Sequence, residues 1–116
     1  MSHLPGRTRT LIWEVVATID LEGEWIGHYP GHFDEVIRIA QRGDTVEAVK
    51  ITGDEYVPDG AVTWRANLNT LEGEGQIAEL DFQHPRFVRG RLRIVNPERI
   101  VFHWDNCGEV EFRKDE

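Results

Sequence analysis

The stretch from Val62 to Asn69, VTWRANLN, alternates without a break. Val62, Trp64, Ala66 and Leu68 share one parity, and Thr63, Arg65, Asn67 and Asn69 share the other. Successive side chains of an extended chain point to opposite faces, so this pattern predicts an antiparallel strand with one face buried and one in water. The same beat recurs along the chain. From Phe87 to Val95, apolar Val88, Leu92 and Ile94 stand against Arg89, Arg91 and Arg93. Ile100, Phe102 and Trp104 resume an inward face after the turn Asn96-Pro-Glu-Arg99, and Val110 and Phe112 follow a second turn at Asn106-Cys-Gly108.

Other segments read as strands from their β-branched and aromatic content, namely Leu11 to Ile19, Glu24 to Tyr29, Phe33 to Gln41 and Thr45 to Thr52. Gly75 to Phe82 is a weaker member of the set. Helical spacing is hard to find. About nine short strands joined by small turns predict an all-β fold, a single small antiparallel and mostly up-and-down β-barrel of calycin-like type. Closure would remove the exposed sheet edges. Both parities of 11–19 are apolar, so a small helix or a subunit contact, such as a homodimer, would cover part of the outside.

A chain of 116 residues suits one domain. The expectation is a β-barrel over 11–116 behind a flexible N-terminus at 1–10. The net charge of −8, spread over the chain, argues against nucleic acid and against an anionic membrane as partners. Cys107 is the only cysteine, which excludes an internal disulfide and fits a reducing compartment. MSHLPGRTRT has no apolar signal-peptide core, and no apolar run is long enough to span a bilayer. These readings predict a soluble, cytoplasmic protein.

Candidate site residues come from side chains that pack or bind. Trp13, Trp25, Trp64 and Trp104 each bring a large apolar surface and an N–H that needs a partner when buried. Core packing is the plainer reading; the sharper one sets Trp25, Trp64 and Trp104 with Tyr29 around a barrel mouth. His28, His32 and Glu35 invite comparison with cupin metal sites. The histidines are four apart rather than two, however, and Thr63 stands where a third histidine would be needed. No metal or other cofactor is expected. His103 and Cys107 are four residues apart with Asp105 between, a spacing that does not by itself build a cysteine–histidine pair.

Lys50 shares a parity with Val46 and Ala48, which implies a partly apolar setting. It could pair with Glu35, Glu79 or Asp54, hold a ligand oxygen, or snorkel to the rim. The connection that follows it, ITGDEYVPDG, has the composition of a long turn. Arg89, Arg91 and Arg93 form a basic stripe, read as a solvated face and alternatively as a peptide-binding one.

These motifs form an ordered series: Gly23-Glu-Trp25-x-Gly27-x-Tyr29, His32, Glu35, then Glu47-Ala-Val-Lys50-x-Thr52-Gly53-Asp54-x-x-Val57-Pro58-x-Gly60. Gly73-x-Gly75-Gln76-Ile77-Ala78-Glu79, Phe82, Pro85, Gly90-Arg91-Leu92 and Phe102-x-Trp104 continue it. The series resembles the C-terminal β-barrel of the F-box-only protein thirty-one family, the F-box proteins described as cyclin-binding. The resemblance implies a substrate-recognition barrel that reads a short C-terminal peptide for a ubiquitin ligase. Phe33 and Glu55 depart from the family pattern, and the residues before 11 are too few for the F-box helices.

The expectation is therefore a stand-alone binding module without catalytic residues. Its candidate ligand-binding residues are Trp25, Tyr29, His32, Glu35, Lys50, Asp54, Trp64, Arg91 and Trp104. The ligand would be a peptide C-terminus or a small apolar molecule with a polar group. The alternative is a small β-barrel enzyme, a cyclase, an isomerase or a cupin-like metalloenzyme, with Glu35 or His32 as acid or base.

Overall fold

Period-two segments separated by tight turns close into a barrel. The computed structural model describes residues 19–28 and 34–115. Among them are eight strands: β1 (Gly23–His28), β2 (Glu35–Arg42), β3 (Thr45–Lys50), β4 (Val62–Asn67), β5 (Glu72–Glu79), β6 (Gln83–Asn96), β7 (Arg99–Trp104) and β8 (Gly108–Lys114). Each pairs antiparallel with the next, and β1 pairs with β8 to complete the circle. The expected all-β, up-and-down barrel is what forms. The further strand expected over 11–19 and the N-terminus 1–10 lie outside the described residues, apart from Ile19, which packs irregularly against the core. Where a strand was expected to run to Phe82, β5 stops at Glu79. A single 3-10 turn, Leu80–Phe82, then reverses the chain, with Asp81 at φ 60° and Phe82 at φ 55°.

The inward parity fills the interior. Trp25, Ile37, Ile39, Val46, Ala48, Trp64, Ile100, Phe102 and Phe112 have no exposed surface. Eight strands enclose a space just wide enough for side chains, and here aromatic rings occupy its middle. Trp64 stacks on Phe102 with centroids 4.8 Å apart and planes within 9°, and Phe112 tilts against it at 5.8 Å. Such crowding demands small residues opposite. A Cβ on Gly75 would come within 2.2 Å of the Trp104 indole nitrogen, and one on Gly90 within 2.4 Å of the Phe102 ring. These glycines are therefore required by the aromatic core rather than by backbone dihedrals.

The two ends of the barrel differ. One end carries the β2–β3, β4–β5 and β6–β7 turns and is sealed by Leu21, Leu68 and the Gln41 side chain. Gln41 accepts a hydrogen bond from the Leu21 N–H at 2.9 Å and donates to the Ile19 carbonyl at 2.9 Å. The other end carries the long β3–β4 connection, the β5–β6 tip and the β7–β8 turn. That end is open.

Candidate functional site

Glu35 and Lys50 follow the inward parity to the edge of the barrel. Glu35 opens β2 on the face of Ile37 and Ile39, and Lys50 ends β3 on the face of Val46 and Ala48. Because Ile37 is the cross-strand partner of Lys50, the glutamate lies diagonally beside it, within reach of a long side chain. The Lys50 ammonium donates to Glu35 Oε1 at 3.0 Å and to Asp54 Oδ2 at 2.7 Å. Lys50 is 3% exposed and Glu35 6%, so this is a buried ionic cluster at the mouth.

Environment separates the two carboxyls. Burial raises the Glu35 pKa above its ordinary value, and the Lys50 charge and hydrogen bond only partly counter it. Desolvation pushes Asp54 the same way, but its hydrogen bonds from Lys50 and from the Val57 and Tyr56 N–H groups outweigh that push, and its pKa falls. Hydrogen bonds that stabilise the charged form win at Asp54; loss of water wins at Glu35.

The β3–β4 connection exists to place Asp54. Its Oδ1 accepts from Tyr56 N at 2.8 Å and Val57 N at 2.7 Å, a turn built around one carboxylate. Lys50 N donates to the Ala61 carbonyl at 2.9 Å and Gly60 N to the Lys50 carbonyl at 2.8 Å, closing the base of the loop. The Thr52 hydroxyl accepts from Val36 N at 2.9 Å. Gly53 is packed against the return chain, where a Cβ would meet Asp59 N at 2.3 Å. This composition is thus a turn that delivers a carboxylate to a buried lysine.

A bulge shapes the opposite wall. Ala48 pairs with Trp64, but the next residue, Val49, pairs with Val62, leaving Thr63 as the extra residue of β4. The bulge turns Thr63 out of the solvent-facing parity its position implies. It is 2% exposed and lines the mouth cavity. Beyond Trp64–Gly75, β4 and β5 part, and the Gln76 side-chain amide bridges the gap to the Val62 carbonyl at 2.7 Å. The resulting cavity holds about 520 Å³ and is lined by Lys50, Asp54 and Thr63 on one side and by Gln76, Trp104 and Val110 across from them.

The expected site residues fall into distinct places. Glu35, Lys50 and Asp54 come together, and Trp104 lines the cavity with its indole N–H donating to the Gln76 carbonyl at 3.3 Å. Trp25 and Trp64 are sealed in the core; the Trp25 N–H donates to the Leu21 carbonyl at 2.8 Å, near the closed end. Arg91 stands on the outer face of β6, between Glu72 of β5 and His103 of β7. Tyr29 and His32 lie outside the described residues. His28 pairs with Asp34 at 2.6 Å on the exposed surface, and His103 faces Asp105 and Glu109. Thr63, Gln76 and Val110 line the cavity without having been among the candidate ligand-binding residues. Only the bulge brings Thr63 there, and parity alone carries no sign of it.

A family model described as Cyclin D1 binding domain matches residues 4–72, a stretch that takes in Glu35, Lys50, Asp54 and Thr63. Protein EXECUTER 1, chloroplastic, of Arabidopsis thaliana is 28% identical over an alignment taking in 84% of this chain and 20% of that protein. Protein EXECUTER 2, chloroplastic, of Oryza sativa subsp. japonica is 27% identical across 70% of this chain and 18% of its own length. The chain therefore spans about a fifth of the length of these relatives. The expectation of a cytoplasmic protein is overturned by these matches, since the relatives are named as chloroplastic. A lone cysteine reports a reducing environment and cannot tell one such compartment from another.

Proposed function

Because this chain belongs to the Cyclin D1 binding domain family, we propose that it is a protein-binding module that holds a short extended segment of a protein partner in its barrel mouth. The observation that carries this reading is the mouth itself, an apolar-walled cavity of about 520 Å³ with one buried ionic cluster at its edge. Apolar walls with few polar groups are what ligand pockets offer. The surroundings suit a macromolecule. Among the described residues, Ile51, Tyr56, Leu80 and Phe87 are exposed large hydrophobics of the mouth half, and Val95 alone stands toward the closed end. Exposed aromatic and aliphatic side chains are what protein interfaces are enriched in at their cores.

The likeness to the F-box barrels adds a finer reading, that the segment is a peptide C-terminus. Lys50 is already shared by two carboxylates, so a third would bind against their negative charge. A random-heptapeptide display library screened against the whole chain tests the proposal. Enriched peptides, resynthesised as free acids and as amides, should bind, and Tyr56→Ala at the cavity rim should weaken them about tenfold, as loss of an interfacial tyrosine does. A library that enriches nothing, or binders indifferent to Tyr56→Ala, would overturn it. The acid-versus-amide ratio decides whether the terminus is what is read.

A further inference from the structure

β6 is fourteen residues long and β7 only six, so β6 outruns its neighbour. β7 pairs with it from Gly90 to Asn96, and the last contact is the Asp105 N–H donating to the Arg89 carbonyl at 3.0 Å before the chain turns into β8. The two backbone groups of a strand residue point the same way, and successive residues alternate. Leu92 N–H donates to the Leu71 carbonyl at 2.8 Å, on the β5 side. Even-numbered residues of β6 therefore face β5, and odd-numbered ones face β7. By that alternation Phe87 turns its N–H and C=O, and Pro85 its C=O, toward the side where β7 has already ended. Among the described residues no backbone group pairs with them there.

This edge is held in place rather than frayed. Ile77 pairs with Arg86 across the hairpin, and at its tip Asp81 N–H donates to the Glu55 carbonyl of the β3–β4 connection at 2.8 Å. It also borders the mouth, since Ile77 and the turn residues Cys107 and Gly108 line the cavity. A strand continuing the line of β7 would set alternate side chains over the cavity. The others would lie on the outer face beside Phe87, where the Arg65 guanidinium stacks 4.6 Å from the ring centroid. Edges are commonly guarded by proline and by charge, but Pro85 removes one donor and leaves both groups of Phe87 open.

Charge selects the occupant. Arg86 shares the face of Ile77 and donates to the His84 carbonyl at 3.0 Å. Arg89 stands opposite Glu74, whose carboxylate is taken by Arg65 at 3.0 Å. Other carboxylates nearby also have partners, Glu79 with His84 at 3.2 Å and Asp105 with His103 at 4.0 Å. An acidic segment would meet both arginines, whereas a second copy of this edge would bring the same arginines together, and like charges across a strand pair repel.

We propose that the segment held at the mouth binds as an added strand on the free edge of β6 at Pro85–Arg89, with its backbone exchanging hydrogen bonds with Phe87 and its acidic side chains meeting Arg86 and Arg89. This is strand addition, in which main-chain bonds give affinity and alternate side chains give specificity. It rests on the mouth binding a protein segment. The probes are the heptapeptides that the display screen enriches, each resynthesised with one N-methylated residue at a time and titrated into the whole ¹⁵N-labelled chain.

N-methylation should weaken binding by about tenfold or more at two positions two residues apart and leave the position between them within about twofold. The Phe87 amide, open to exchange in the free chain, should become at least about tenfold slower to exchange with peptide bound. Phe87→Pro removes the N–H while its pairing with β5 does not use it, and should cost about tenfold more affinity than Phe87→Ala, which removes only the ring. The peptides should carry Asp or Glu, and Arg86→Gln with Arg89→Gln should weaken them. Peptides that bind with no alternation in the N-methyl series, or without acidic residues, overturn the added strand while the mouth remains the binding site. A Phe87 amide already protected without peptide also overturns it: protection that grows with protein concentration assigns the edge to a second copy, and protection independent of concentration assigns it to the chain itself. If the library enriches no peptide, the added strand and the peptide-binding mouth fall together.

Discussion

The closed end of the barrel and its mouth are built from the same alternating strands, yet they treat polar groups in opposite ways. At the closed end, the Trp25 N–H reaches the Leu21 carbonyl, and both ends of the Gln41 amide are used by Leu21 and Ile19. Toward the mouth, a lysine and a glutamate are taken out of water, β4 carries a bulge, β5 leaves its neighbour and the Trp64 indole N–H is buried without a hydrogen-bond partner. Local rules for stability are met at one end and broken at the other. Departures of that kind are expected where a protein binds something rather than where it only folds.

The largest effect should come from breaking the closed end. Trp25→Ala removes a fully buried indole and orphans the Leu21 carbonyl. Chemical denaturation should show a loss of about 3–5 kcal/mol, the cost of an aromatic-to-alanine change in a core. A loss below about 1 kcal/mol would mean that this end is not the structural anchor.

Next comes Lys50→Met, which keeps the apolar stem and removes the charge. Glu35 is then buried without a counter-ion. Breaking a buried pair commonly costs about 3–5 kcal/mol, but Glu35 can escape by taking up a proton and Asp54 keeps partial access to water. The expected loss is about 2 kcal/mol at neutral pH, shrinking in weak acid as Glu35 becomes neutral. A loss independent of pH would show that packing, not charge, holds Lys50 in place.

Glu35→Gln sharpens the same point through its sign. A carboxyl whose folded pKa is raised holds its proton longer in the folded state than in the unfolded one. Its favourable contribution is therefore complete below the ordinary glutamate value and is lost as pH rises through the folded one. Asp54, with a lowered pKa, works in reverse: its contribution is present above the ordinary aspartate value and is lost as pH falls through the folded one. Wild-type stability relative to Glu35→Gln should thus decline as pH climbs from about 4 toward neutrality. A flat difference across that window would remove burial as the dominant influence on Glu35.

Much of this was legible in the residues, and the part that was not has a definite cause. Strict alternation in 62–69 and 87–95 places β4 and β6, and the parity of Lys50 with Val46 and Ala48 points it inward toward Glu35 and Asp54. Parity says which face a residue occupies but not how far along the barrel axis it lies. Trp64 and Trp104 are both inward, yet one is sealed under Phe102 while the other borders the cavity. Arg91 illustrates the opposite case, a residue of the resemblance that alternation correctly sends to the outer face. Thr63 was illegible because a bulge shifts register by one residue, and one residue is enough to exchange inside for outside.

Thr63→Val is accordingly the smallest perturbation of the fold and the most informative one. Valine has nearly the shape of threonine, and Thr63 lines the cavity, so the exchange keeps most of the packing and removes the hydroxyl from the cavity wall. At a closed-end position such as Gln41, whose amide bonds are made within the protein, an apolar replacement should destabilise. At Thr63 the change should leave stability within about 0.5 kcal/mol of wild type, or raise it. If denaturation instead shows a loss above about 1 kcal/mol, the hydroxyl serves the folded chain itself, and the contrast between the two ends weakens at its most specific point. If stability holds while binding at the mouth falls, the hydroxyl that the bulge brings to the cavity wall serves the ligand rather than the fold.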